Sequence, residues 1–252
     1  MKIPSVDQAS AVFSDAFQYP GRKLSPKGPP FIEDNRLAMA ARPGLIRKLL
    51  PAREDDKGAF AGGCYLFDTY ENAKAFRKWA EEEWVLPDGM RFLDRQQFLE
   101  PTSQLWRIVA VEDFGDVESQ QNIMRFERWH LPAYPEAENL RAEWWPRIRD
   151  AAVEAGLTSA WLLADPHEYH PQLGLVTAAL GAESHQGGQS TMDLSKLESM
   201  TSLGEQLADH LGGTKVFDRT SWIYMIWFPI EAGDRSPDTA LWPCSPPLPG
   251  LR

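Results

Sequence analysis

The chain is read as an α+β protein that uses one small β-α-β-β-α-β unit twice in tandem. Three observations carry that reading. Residues 41–79 place a strand, a polar turn, a second strand with a Gly pair and an amphipathic helix within forty positions. The same order of elements returns across residues 123–228 with a different sequence. Trp222, Tyr224, Ile226 and Phe228 share one face of the last strand, with Ile223, Met225 and Trp227 on the other, so that strand reads as covered on both sides.

The elements follow in chain order. Residues 10–18 read as a first strand, and the Gly- and Pro-rich stretch PGRKLSPKGPP that follows is loop. Residues 31–41 have helical composition, stopped by Pro43-Gly44. Residues 45–50 are a strand, 53–58 a charged turn, and 60–67 the next strand, where Gly62-Gly63 allows close backbone approach or a bulge. Thr69 is placed to cap a helix whose apolar face is Ala73, Phe76, Ala80 and Trp84. Residues 90–99 read as a closing strand and 105–111 as one more.

DFGDVES is the expected boundary, giving an N-terminal unit of residues 1–117 and a C-terminal unit of residues 118–252. The second unit opens with the strand 123–131. A helix over 135–155 follows, with Leu140, Trp144, Ile148, Ala152 and Ala155 on one face, Gly156 as its cap and Pro146 as a kink or first-turn residue. Residues 161–164 and 173–180 read as paired strands joined by DPHEYHPQ. GAESHQGGQS reads as a loop, 194–211 as a helix, 216–230 as a long strand, and the Pro-rich remainder as an aperiodic tail along the surface. Each half therefore approximates the ferredoxin-like unit, with helices on one face of its sheet. Two such units in tandem close into an intramolecular α+β barrel with a ligand pocket between them.

Composition narrows the function. Of 252 residues, 43% are hydrophobic and 25% charged, ordinary for a globular protein with a sizeable core. No apolar run reaches the length of a membrane span and the first residues do not resemble a secretory signal, so a cytoplasmic protein is expected. The net charge of −10, from 36 acids and 26 bases, argues against nucleic acid as a partner. The two cysteines, Cys64 and Cys244, exclude a Cys-based zinc site and do not suggest a disulfide. No G-x-G-x-x-G, GK[ST] or G-x-S-x-G motif is present, so neither a tightly held dinucleotide nor a serine-hydrolase site is expected. Ten Trp residues suit either a large core or an aromatic-lined pocket.

The candidate site residues follow from strand ends and aromatic alternation. His130 ends the strand IMRFERWH, and an imidazole titrating near neutrality can take a phenolic proton. Arg128 on the same strand can stabilise an enolate or peroxide anion; the bland reading of Arg125, Glu127 and Arg128 is a structural ion-pair set. Trp222 and Tyr224 share one face of the last strand, and Tyr65 and Phe67 alternate likewise in the first half; with Trp129 and Trp161 they are the expected substrate-binding set. His167 and His170 could bind metal only if a helix presented them, and their prolines favour a loop, so no metal is expected. His185 and His210 read as structural or solvated.

Residues 31–100 also carry a family likeness. PGLIRKLLPARED followed by GGCYLFDTYENAKAF resembles the YdhR-like monooxygenases of the dimeric α+β barrel superfamily, which includes the antibiotic biosynthesis monooxygenases. The tandem layout is similar to the angucycline ring-opening oxygenases of the gilvocarcin and jadomycin type. The resemblance implies an oxygenase of natural-product biosynthesis acting on a polycyclic aromatic, polyketide-type substrate with O2. It implies no tightly bound cofactor: reduced flavin (FADH2 or FMNH2) would serve as co-substrate, supplied by a flavin reductase, or no cofactor at all would be needed. Single-unit members dimerise, so a homodimer stays open beside a monomer. The alternatives are a non-oxidative polyketide cyclase or isomerase, a hydrophobic-ligand binding protein without turnover, and a haem protein with a His axial ligand.

Overall fold

The computed structural model describes residues 5–20, 42–55, 58–85, 89–91, 99–114, 123–165, 170–179, 183–186, 189–192, 195–227 and 241–243. The chain divides into two compact units, Met1–Leu105 with Ile223–Arg252, and Trp106–Trp222. The divisions fall inside two long strands, β4 (Leu99–Asp113) and β10 (Thr214–Trp227).

In unit 1, β1 (Ala11–Pro20) and β2 (Leu45–Asp55) flank β3 (Gly58–Phe67), both antiparallel to it. The charged segment Arg53–Asp55, expected as a turn, continues β2, because its backbone pairs with Gly58 to Phe60 of β3. Helix α1 (Tyr70–Glu82) begins where expected: the Thr69 side chain accepts from Asn72 N–H at 3.1 Å. Its Ala73, Phe76 and Ala80 are buried, and the Phe76 ring packs 5.3 Å from Phe13, 4.8 Å from Tyr65 and 5.2 Å from Phe67. Burying one such Phe contributes about 2–3 kcal/mol.

Two bulge positions set the direction of the side chains that follow. In β2 the register slips between Leu45 and Arg47, so Leu45 lies opposite Phe67 and Lys48 opposite Tyr65. Unbroken alternation from Leu45 would turn Arg47 toward α1; the extra residue turns Lys48 there instead. The slip in β10 between Lys215 and Phe217 does the same in unit 2, setting Lys215 opposite Trp129 and Phe217 opposite Arg128.

In unit 2, β5 (Ile123–His130) pairs antiparallel with β7 (Gln172–Ala179) and with β10, and β6 (Ser159–Asp165) lies between β7 and the second half of β4. Helix α2 runs through Ala137–Asn139, a π-turn Leu140–Trp144 and Trp145–Glu154. Pro146 has no N–H to offer Ala142, and the turn ahead of it widens so that Trp145 N–H reaches Leu140 O. Gly156, at φ +67, ends the helix as expected. Helix α3 (Ser195–His210) stops at Gly212, φ +69.

Two segments expected to be irregular contain strands. The polar stretch expected as a loop contains β8 (Glu183–Gln186), which pairs antiparallel with β9 (Gln189–Met192). The tail contributes β11 (Leu241–Pro243), paired with Met225 to Trp227 of β10. The expected helix at 31–41 and most of the strand at 90–99 lie outside the described residues. No helix among the described residues is long and apolar enough to cross a membrane.

Candidate functional site

Unit 2 presents an aromatic face on the side of its sheet away from α3. Phe126 lies 5.7 Å from Trp106 and 5.9 Å from Phe217, both edge-on. Gly174 sits between them: a Cβ there would come within 3.2 Å of Phe126 and 3.3 Å of Trp106, so the missing side chain lets the two rings close over β7. The Arg128 guanidinium lies 4.1 Å from the Phe217 ring centroid, and that of Arg219 lies 4.8 Å from it. Cations over an aromatic ring are held by its quadrupole, so Phe217 positions both.

His130, two residues beyond Arg128 on the same strand face, is exposed. Its ring is 6.4 Å from that of His170. Among the described residues no cluster of three metal-type ligands forms. The structure thus brings Arg128 and His130 to one face beside Phe126 and Phe217.

The remaining expected site residues are distributed differently. Trp161 lies on the same sheet face but is fully enclosed, with its indole N–H donating to Ser159 Oγ at 2.7 Å. Trp129 points the other way, toward α3, where Gly204 leaves it room: a Cβ would stand 3.0 Å from its ring. Tyr65 and Phe67 lie in the core beneath α1 in unit 1. The alternation that suggested a pocket wall therefore marks, at these two positions, the face that the helix covers. Trp222 and Tyr224 belong to β10 by backbone, and their side chains lie outside the described set. His167 does too.

The structural reading of Arg125 and Glu127 holds. Arg125 makes a two-pronged contact to Asp218, at 2.8 and 2.5 Å, and also bonds Thr201 of α3. Glu127, 1% exposed, accepts from Lys215 at 3.0 Å and lies 3.5 Å from Arg125. Burial pushes the Glu127 carboxyl up, opposed by Arg125 and Lys215. Lys215 also reaches Glu205 of α3, so the network ties β5 and β10 to the helix.

Unit 1 holds a second polar constellation that sequence reasoning missed. Asp15 on β1 and Lys48 on β2, 7% and 6% exposed, meet Tyr65 of β3 beneath α1. The Tyr65 hydroxyl donates to Asp15 Oδ2 at 3.2 Å, while Lys48 Nζ lies 4.3 Å from the Tyr65 ring centroid. Asp15 Oδ1 is buried with no hydrogen-bond partner among the described residues. Burial pushes the Asp15 carboxyl up to about 7, against the Lys48 charge, the Tyr65 hydroxyl and the Gly63 backbone. Burial likewise lowers Lys48 to about 8, against the Asp15 charge. The available sequence signal was a basic pair, Arg47-Lys48, inside the expected strand 45–50, whose other members are apolar.

With this geometry in hand, the comparisons with known proteins bear on the fold. An anthrone oxidase-like protein of known structure is 9% identical and aligns over 92% of this chain and 97% of its own, with a TM-score of 0.50. The fold is shared. Other structural neighbours are a protein described as a monooxygenase from Fusobacterium nucleatum, at 11% identity over 85% of this chain and 92% of its own, TM-score 0.38. A third, from Listeria monocytogenes, is a ferredoxin-fold protein related to antibiotic biosynthesis monooxygenases, at 11% identity over 87% and 95%, TM-score 0.37. No family model and no curated protein sequence matches the chain.

Proposed function

We propose that the chain is an oxygenase acting on a polycyclic aromatic phenol, bound at the Phe126–Phe217 face of unit 2. The observation that carries the reading is the placement of Arg128 over Phe217, with His130 two positions further along the same strand face. Flat aromatic rings offer stacking area, and the guanidinium offers a fixed cation where an oxyanion develops. The imidazole of His130 takes the phenolic proton, leaving a phenolate that faces Arg128. That anion is electron-rich at its ring carbons and reacts with O2: one oxygen atom enters the substrate and the other leaves as water. The two electrons come from the substrate itself when a CH2 group becomes a carbonyl, or from reduced flavin when the ring is hydroxylated. The two guanidiniums of Arg128 and Arg219 on one aromatic ring fit a flat, anionic molecule of either kind. The name of the anthrone oxidase-like neighbour supports this substrate class for the reading without extending it.

Oxygen uptake with a panel of polycyclic phenols and anthrones, with and without a flavin reductase supplying reduced flavin, tests the proposal. Uptake that requires the protein supports an oxygenase, and its dependence on flavin assigns the electron source. Substrate conversion that continues without O2 would replace the oxygenase with a cyclase.

A further inference from the structure

The two units treat the same buried acid differently. Asp15 is the fifth residue of β1, and Glu127 is the fifth residue of β5, the strand that opens unit 2. Both are nearly inaccessible, and both lie on the sheet face that a helix covers: Asp15 with Tyr65 beneath α1, Glu127 with Lys215 beneath α3. In each unit a register slip turns a lysine to that same face. In unit 2 the outcome is a closed network, with Lys215 at 3.0 Å and Arg125 at 3.5 Å from the Glu127 carboxylate. In unit 1 the lysine instead rides on the Tyr65 ring, and one carboxylate oxygen of Asp15 is left without a hydrogen-bond donor among the described residues.

A buried acceptor without a donor is costly, and folded proteins rarely keep one that serves no purpose. A cation close enough to act on Asp15, with the Phe13 and Tyr65 rings of the sheet packed against Phe76 of α1, completes the surroundings. The group that suits them is a hydroxyl on a flat apolar body. Its O–H can donate to Asp15 Oδ1, and the oxyanion left after proton transfer would face the Lys48 ammonium. We infer that Asp15, Lys48 and Tyr65 form a second acid–base site, within unit 1, that takes the hydroxyl of a phenol or enol. The step is a simple proton transfer: the ligand O–H bond breaks, an O–H bond forms on Asp15, and no electrons change hands. The site stands on unit 1 alone and does not require the unit 2 face to be catalytic.

3-Nitrophenol is the probe, because its phenolate absorbs visibly and it stays mostly neutral in water at the pH where Asp15 can accept a proton. The full chain is titrated with it at about pH 7.5, where most Asp15 has lost its proton and most Lys48 keeps its own; Asp15→Asn and Lys48→Met are each made in a His130→Gln background, so that unit 2 cannot ionise the probe. Expected is a saturable phenolate band in the wild type and in His130→Gln, lost when Lys48→Met is added to His130→Gln, with affinity weakened about tenfold or more when Asp15→Asn is added instead. Should Asp15→Asn fail to fold, Lys48→Met carries the same test, because it leaves the carboxyl in place and removes only the cation. A phenolate band that survives in both Asp15→Asn and Lys48→Met would overturn the site, as would no band in the wild type. Loss in His130→Gln alone would place phenol binding in unit 2, overturning this site while leaving the proposed function intact.

Discussion

Gly63 gives Tyr65 the space to reach Asp15. A Cβ at residue 63 would stand 2.3 Å from Tyr65 Cε2 and 2.9 Å from its hydroxyl, so the ring lies along β3 over the glycine. That path carries the hydroxyl to Asp15 Oδ2 on the neighbouring strand. Gly62 serves a separate purpose, admitting the Asp15 carbonyl to 2.3 Å from where its own Cβ would be.

Gly63→Ala should therefore displace the Tyr65 ring and break its bond to Asp15. The expected cost is about 1–3 kcal/mol, as for other overpacked core positions. Urea unfolding measures it, and a variant as stable as wild type would show that the ring has another way to lie.

The pH dependence of stability follows from Asp15 and Lys48. In the folded protein Asp15 keeps its proton up to about pH 7, against an ordinary value of 3.8, so the folded state binds more protons between those limits. Stability is full below the lower value and falls as pH rises toward 7. Lys48, lowered from 10.5 to about 8, works in the opposite sense, so stability recovers between pH 8 and 10.5 as the unfolded chain holds the extra proton. A minimum near pH 7–8 is expected in thermal unfolding. Asp15→Asn should abolish the falling limb; a limb that persists would assign it to other groups.

Glu127→Ala removes the anion that Lys215 and Arg125 share. Breaking a buried pair from one side costs about 3–5 kcal/mol, because the partner charge is left uncompensated. Here Asp218 still holds Arg125, so the loss should fall at the lower end of that range. Chemical unfolding reads it directly, and a change below about 1 kcal/mol would reduce the network to a surface-like pair.

Arg128→Ala and His130→Gln separate binding from proton transfer. Arg128→Ala should weaken binding of the phenolate-forming substrate, because it removes the cation beside Phe217. His130→Gln should lower kcat by about a hundredfold and flatten the pH–rate profile, the signature of a lost general base. An unaltered profile in His130→Gln would assign the base elsewhere.

How much of this was legible depends on where each residue's signal lay. The α1 face at Ala73, Phe76 and Ala80 and the Thr69 cap could be read because helical period and cap chemistry are local. The β6–β7 pair was legible from its two short apolar runs. The π-turn before Pro146 was half legible: the proline announces a distortion but not its geometry. The hairpin β8–β9 was hidden by its polar composition, since neither strand carries an apolar alternation. Lys48 was hidden for a different reason. Its direction is set by the bulge near Ile46, which reverses the side-chain alternation of β2 and has no signature in LIRKLL. Asp15 reads as an ordinary polar residue in AVFSDAF, and only the pairing of β1 with β3 brings it to Gly63 and Tyr65. The charged pairs around Arg125 were legible as pairs, but Asp218 and Lys215 lie some ninety residues away in sequence and could not be named.

The most direct test of the central claim is isotopic. The protein is given 18O2 with a phenol or anthrone that shows protein-dependent oxygen uptake, and the product is weighed by mass spectrometry. The account predicts that one labelled oxygen atom enters the product and that Arg128→Ala and His130→Gln lower the yield of labelled product. Product oxygen drawn only from water, or labelling that is the same without the protein, would contradict it.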